Sequence, residues 1–142
     1  MTGGQVSPTT SDDRFTTTTP TGNIEPAFDP CALAEGAGAT FVGRELTLQC
    51  PSLKNLIREG ISHPGFSFIE VLSDCTEIYG RKNDLGESAE MIMKQKSAYR
   101  SENYGLEPKE MFQPGTVSTG ILHKGDRVEY GESLRSKGPA KT

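Results

Sequence analysis

Phe66-Ser67-Phe68-Ile69-Glu70-Val71-Leu72 is apolar on both parities apart from Ser67 and Glu70. A strand covered on both faces has that pattern. Just upstream, Leu53, Leu56, Ile57 and Ile61 fall at i, i+3, i+4 and i+8, the apolar face of an amphipathic helix. Pro51 starts this helix, with Gln49 or Cys50 near its cap, and His63-Pro64-Gly65 stops it. Further upstream, Ala39-Thr40-Phe41-Val42-Gly43-Arg44 reads as a strand. Before it, Asp29 is an N-cap followed by Pro30 at the first helical position, and the helix runs through Glu35 to end at Gly36 and Gly38. Helix–strand–helix–strand at this short spacing predicts an α/β fold with a parallel sheet flanked by helices and joined by right-handed crossovers. In such sheets the functional loops lie at the carboxyl ends of the strands. The loop Ser73-Asp74-Cys75-Thr76-Glu77-Ile78-Tyr79-Gly80-Arg81 qualifies by position. The turn at Thr2–Gln5 would qualify if a strand preceded it.

The chain before Asp29 differs in character. Thr, Ser, Gly and Pro fill 17 of the first 30 positions, and no helical or strand period is legible there. Such a composition often marks a disordered tail. The paired glycines Gly3-Gly4 and the run Thr16 to Thr19, closed by Pro20, argue instead for a long, ordered, functional loop. The Thr hydroxyls are either solvated or line a polar wall. Beyond Arg81, Asp84 and Glu87 suggest a capping box. A helix from about Leu85 to Asn103 follows, with Leu85, Ala89, Ile92 or Met93, and Tyr99 on one face. Val117–Leu122 reads as a short edge strand, and 136–142 as a frayed tail. The chain thus divides into a Thr/Gly/Pro-rich loop (1–28), an α/β core (29–104) and a C-terminal extension (105–142).

Composition bounds the function. The 142 residues are 33% apolar, with 16 Gly and 9 Pro, so the core is modest and the loops are long. A net charge of -4 argues against a nucleic-acid surface. No apolar run approaches the roughly 18 residues of a membrane span. Met1–Pro8 lacks the basic start of a secretory signal. A soluble, cytoplasmic protein is expected. Three cysteines, Cys31, Cys50 and Cys75, at spacings of 19 and 25 form no disulfide framework and no Cys-x-x-C. One of them could supply a single ligand to a metal site completed elsewhere. Cys31 and Cys50, on or beside helices, read as small core or cap residues. His63 at a helix end suggests a dipole interaction, His123 an exposed position, and Arg81 and Lys82 surface charges.

Met1-Thr2-Gly3-Gly4-Gln5 with the Thr-rich loop, then Gly38-Ala39-Thr40-Phe41-Val42, then Gly65 through Cys75 and Tyr79-Gly80-Arg81, occur in this order. Together they resemble the C-terminal half of the beta subunit of 2-oxoacid:ferredoxin oxidoreductases, the 2-oxoglutarate type most closely. The resemblance covers residues 1 to 81 well and extends more loosely to about Leu134.

The resemblance implies part of a thiamine-diphosphate-binding fold. It implies oxidative decarboxylation of a 2-oxoacid to an acyl-CoA, with electrons leaving through a [4Fe-4S] cluster to ferredoxin. The implied cofactors are thiamine diphosphate, Mg²⁺ and that cluster. The implied partners are the alpha subunit, ferredoxin, the 2-oxoacid and CoA, with no nucleic acid and no membrane. Thr2, Gly3, Gly4 and Gln5 correspond to the segment beside the diphosphate, where small residues let backbone N–H groups approach an anion. Cys75 corresponds to the last of four cluster thiolates; the family usually has Pro after it, where this chain has Thr76. The other three cysteines, the Gly-Asp-Gly motif that ligates Mg²⁺ and the strand leading into the first turn lie upstream in the family. The resemblance therefore predicts a truncated or split subunit, inactive without its N-terminal half and the alpha subunit. Two alternatives remain open. One is a non-catalytic α/β interaction module or inactive fragment. The other is a small phosphate-binding protein, which no Walker-type or dinucleotide motif supports.

Overall fold

A computed structural model describes residues 4–101 and 117–138, with backbone only at 98–101. The predicted start is as the sequence reads. The Asp29 carboxylate accepts from the N–H groups of Cys31 (2.8 Å) and Ala32 (3.3 Å), Pro30 opens helix α1 (Pro30–Gly36), and Ala37 caps it. Strand β1 (Phe41–Leu46) follows, every residue of it buried. Then come α2 (Cys50–Ser62) and β2 (Ser67–Leu72). β1 and β2 pair in parallel, Phe41 opposite Ser67 through Leu46 opposite Leu72. After a π-helical turn (Thr76–Gly80) come α3 (Ser88–Ala98), β3 (Tyr99–Ser101), β4 (Val117–Lys124) and α4 (Tyr130–Ser136).

The strands form a four-stranded sheet in the order β2-β1-β4-β3. β4 runs antiparallel to β1, with an irregularity between Val42 and Gly43, so the sheet is mixed. The segment 117–122, expected at an edge, is part of a longer strand that lies inside the sheet between β1 and β3. Close approach explains the pairing: a Cβ on Gly43 would stand 3.2 Å from the Gly120 carbonyl oxygen.

Helices cover β1 from both sides. Val42 joins Cys31, Ala34 and Ala39 in a buried cluster under α1, with Phe68 and Leu122 packed against it. On the other face, a Cβ on Gly43 would meet Leu56 at 2.6 Å, and one on Gly60 would meet Ile69 at 2.7 Å. Gly60 thus lets α2 lie close against the sheet, and the contact face runs Leu53, Leu56, Gly60. The expected Ile57 and Ile61 turn outward instead, with Ile61 80% exposed. α3 is shorter than expected and buries Met91, over Gly80, in place of Ala89 or Met93. Asp84 makes no capping box; it takes a positive φ of 49°, and the Glu87 N–H donates to Glu90 Oε2 at 3.1 Å. β2, whose sequence suits a strand covered on both faces, is only half-buried and lies at one end of the sheet.

The N-terminal loop is ordered by side-chain amides. Asn23 is 3% exposed; its Nδ2 donates to the carbonyls of Thr10 (2.8 Å) and Glu25 (2.7 Å), while its Oδ1 accepts from the Glu25 N–H. Asn83 clasps the loop to the rest of the domain. Its Oδ1 accepts from the Phe15 N–H (2.8 Å), and its Nδ2 donates to the carbonyls of Phe15 (3.0 Å) and Tyr79 (2.8 Å). Neither asparagine stands out in the sequence, because an amide at a loop position carries no periodic signal.

A buried guanidinium ties the elements together. Arg44 Nε donates to Glu70 at 2.5 Å and Arg44 also pairs with Asp29, so β1, β2 and the cap of α1 share one charge cluster. Burial alone would raise the Asp29 pKa. The hydrogen bond and charge of Arg44 and the Ala32 and Cys31 N–H groups outweigh it, and the carboxyl is held below its ordinary 3.8.

Three outcomes are expected. Arg44→Met should lower unfolding free energy by about 3 kcal/mol in urea titrations, because it leaves the Glu70 carboxylate without its cation. A carboxyl with a depressed folded pKa stabilises the fold above its unfolded value and loses that contribution as pH falls through the folded one. Asp29→Asn should therefore be less stable than wild type at neutral pH, and the gap should close as pH drops below 3.8. Asn83→Ala should speed hydrogen exchange or limited proteolysis within residues 5–28 by about tenfold, with little effect on amides of β1, since about 1.4 kcal/mol of local opening energy gives that factor.

Candidate functional site

At the carboxyl end of β2 the chain forms a cleft of about 550 Å³. Thr9, Thr10 and Arg14 of the N-terminal loop form one wall, and Ser73, Asp74, Cys75 and Tyr79 form another. Leu85, Met91, Lys94 and Gln95 close it from the side of α3. The loop after β2 singled out in the sequence therefore meets the Thr-rich N-terminal loop here, at Thr9, Thr10 and Arg14, whereas the Thr2–Gln5 turn is not part of the cleft lining. β2 places the loop after it, and the Asn23 and Asn83 bonds place the N-terminal one.

Cys75 sits where the extended chain enters the π-helical turn and is exposed. Its thiol pKa is lowered by hydrogen bonds from the backbone N–H groups of Tyr79 and then Ile78. A sulfur that accepts two backbone N–H groups is prepared to act as a thiolate, the form that binds metal. The donors exist because the turn is π-helical, with the Gly80 N–H reaching back to the Cys75 carbonyl at 2.8 Å. Cys75 is thus exposed and its thiol is held below its ordinary pKa, against the opposing charges of Asp74 and Glu77. Cys31 is neither: it is 2% exposed, and burial pushes its thiol up to about 12. It is a core residue, as expected. Cys50 is exposed at the start of α2, its thiol 3.2 Å from the Thr47 carbonyl.

Of the four residues matched to the diphosphate segment, Thr2 and Gly3 lie outside the described residues. Gly4 has φ of +77°, and among the described residues nothing stands within 4 Å of where its Cβ would be. The open space over this backbone fits the approach of an anion. The Gly4 N–H donates to the Thr18 carbonyl at 2.5 Å, and the hydroxyls of Thr18 and Thr19 donate to the Gln5 carbonyl. The Thr run therefore fastens the Gly4-Gln5 backbone; it is Thr9 and Thr10 that face the cleft.

Among the described residues, Asp29, Cys31 and Glu70 bring three potential metal ligands within 4.8 Å of one another. Arg44 occupies that cluster, and its fixed positive charge does there what a metal ion would do. No residue of that group is available for Mg²⁺. His63 serves structure: its Nε2 lies 2.8 Å from the Thr40 hydroxyl and its ring packs on Phe41. His123 is half-buried, 3.2 Å from Glu35, and Arg81 pairs with Glu77 on the surface. No helix among the described residues is long and apolar enough to cross a membrane.

The comparisons with known proteins converge. Residues 1–71 match the family model of the thiamine pyrophosphate enzyme, C-terminal TPP binding domain. The chain is 41% identical over 138 residues to the 2-oxoglutarate synthase subunit KorB of Methanothermobacter thermautotrophicus, covering 96% of this chain and 48% of that one. It is 39% identical over 136 residues to KorB of Methanocaldococcus jannaschii, covering 94% and 50%. The chain thus spans about half the length of these curated relatives. Its fold matches a 2-oxoglutarate:ferredoxin oxidoreductase from Magnetococcus marinus, solved with 2-oxoglutarate, coenzyme A and succinyl-CoA bound. That match has a TM-score of 0.75 at 20% identity and covers 95% of this chain and 46% of that one. The α/β layers around β1, the turn at Gly4 and the match over residues 1–71 agree: the chain belongs to the thiamine pyrophosphate enzymes, as their C-terminal TPP-binding domain, and resembles the beta subunits of 2-oxoglutarate synthase.

Proposed function

We propose that this chain forms the diphosphate-side and cluster-side part of a 2-oxoglutarate:ferredoxin oxidoreductase beta subunit. The observation that carries the reading is the cleft in which the Thr-rich loop meets Cys75. In this reading the segment Thr2, Gly3, Gly4 and Gln5 lies against the diphosphate of thiamine diphosphate, with the Gly4 N–H held by the Thr18 carbonyl, and Cys75 is one ligand of a [4Fe-4S] cluster. Thiamine diphosphate, once bound, supplies the carbanion chemistry. The residues of this chain orient it and set the thiolate. The alpha subunit, CoA, ferredoxin and the Mg²⁺ ligands complete the site from outside the chain. Four thiolates hold such a cluster, and a single thiol here is suited to the purpose, so the other three come from the remaining half that relatives of twice this length possess. The same half continues the sheet across the open side of β2. That strand has an apolar sequence, is half-exposed along its length, and carries no proline or lysine to block pairing.

Co-expression with a partner fragment bearing the missing cysteines and the Gly-Asp-Gly motif, together with an alpha subunit, should yield an iron-containing complex. That complex should reduce ferredoxin with 2-oxoglutarate and CoA. Cys75→Ala should lower its bound iron at least tenfold by colorimetric iron assay. Unchanged iron and activity in that variant would remove Cys75 from the ligand set. A complex that assembles yet binds neither iron nor thiamine diphosphate would favour an interaction module instead.

A further inference from the structure

Helix α2 buries Leu56 and Gly60 against the sheet. Its opposite side carries Lys54, Ile57, Arg58 and Ile61, at i, i+3, i+4 and i+7, so the four share one stripe. All four are exposed. Phe66, just past the end of α2, is exposed as well. It lines a cavity of about 530 Å³ together with Val128, Tyr130 and Arg127. Exposed apolar side chains therefore continue from α2, past its end, into a pocket. Three cations border them. Lys54, Arg58 and Arg127 form no ion pair among the described residues, although acidic residues outnumber basic ones in the chain, 19 to 15. Arg44, Arg81 and Lys124 do form such pairs. Glu129 also lines the pocket, but it is engaged at the cap of α4, where it accepts from the Glu132 N–H at 3.1 Å.

The layers of the fold limit what can cover this face. In an α/β domain the helices are the outer layers. A half that continues the sheet beyond β2 adds its helices beside α2, not over it, and leaves the stripe open. A second copy laid face to face on the stripe would set cations against cations. The occupant that fits is a different chain presenting apolar side chains among carboxylates.

We infer that the outer face of α2, with the pocket at its end, docks an acidic, apolar surface of the alpha subunit. The inference rests on the reading of this chain as part of a beta subunit. Ile57 and Ile61 form the apolar centre, the pocket beside Phe66 receives an anchoring side chain, and Lys54, Arg58 and Arg127 meet carboxylates at the rim. The pocket lies at the amino ends of β1 and β2, where Thr40 and Phe66 line it. Docking therefore uses a different part of the domain from the Cys75 cleft at the carboxyl end of β2.

The test is co-expression of the complex with an affinity tag on this chain, comparing wild type, I61E and the double variant K54E/R58E. Binding of the alpha subunit is measured by quantitative co-purification and by interferometry. Each variant should weaken it about tenfold or more. Added salt should weaken wild-type binding and narrow the K54E/R58E difference. The changed side chains are exposed, so both variants should keep the wild-type urea midpoint and retain the upstream fragment fully. Wild-type affinity for the alpha subunit in both variants overturns the inference. Loss of the upstream fragment in place of the alpha subunit also overturns it, because the face would then belong to the rest of the domain. So does a homodimer of this chain that I61E dissolves, which would make a second copy the occupant. A wild-type complex that takes up no alpha subunit overturns the underlying reading, and the inference falls with it.

Discussion

Arg44 stands in the most buried strand of the chain with only 7% of its side chain exposed, and its guanidinium meets Asp29 and Glu70 together. A charge in that position is tolerated only when its donors are matched. The match fixes three things at once. Asp29 ends the N-terminal loop and caps α1, so the loop is delivered to a defined place. Glu70 lies on β2 five residues before Cys75, so the register of β2 against β1 is set where the functional loop begins. Cys31 is shut into the same cluster and is thereby kept from acting as a thiolate. Removing the cation would leave Glu70, with 17% of its side chain exposed, as an unpaired carboxylate beneath a helix.

From this anchor the site is assembled out of loops. The sheet supplies a rigid edge at the carboxyl end of β2, and the amides of Asn23 and Asn83 do for the loops what a ladder does for strands. They satisfy backbone groups that have no regular partner. Asn83 bridges the Phe15 backbone to the Tyr79 carbonyl, and so joins the loop that carries Arg14 to the turn whose N–H groups point at Cys75. The loop wall of the cleft and the turn beside the thiol are thus held by one side chain. In the proposed function this arrangement sets an anion at one end of the loop, at Gly4, and a thiolate at the other side of the cleft.

Much of this was legible in the order of residues. Asp29-Pro30 announced α1 because capping and the fixed φ of proline are local effects. The run 66–72 and the strand at Phe41 announced a parallel pair, since the hydrophobic period and the short helical crossover between them leave few alternatives. Cys75 was marked by its place just past a strand end together with the family resemblance. The exposed side of α2 was not legible. Ile57 and Ile61 fit the apolar stripe, but Gly60 allows the helix to sit so close to Ile69 that the contact face rotates away from them. The place of β4 escaped the sequence for a similar reason: nothing local to residues 117–122 shows that Gly120 pairs closely with Gly43.

The sequence by itself determined the local elements, the α/β class and the family, because caps, periodicity and ordered motifs are properties of neighbouring residues. Only the tertiary structure decided which charges are spent on the fold and which remain for the site. Arg44 and Glu70 look like scattered surface charges until β1 and β2 pair and bury them, and the cap residue Asp29 is drawn onto the same guanidinium. Arg14 and Lys94 look equally ordinary until the loop and α3 bring them to one cleft. Burial and partner choice depend on residues distant in the chain, and no local pattern encodes them.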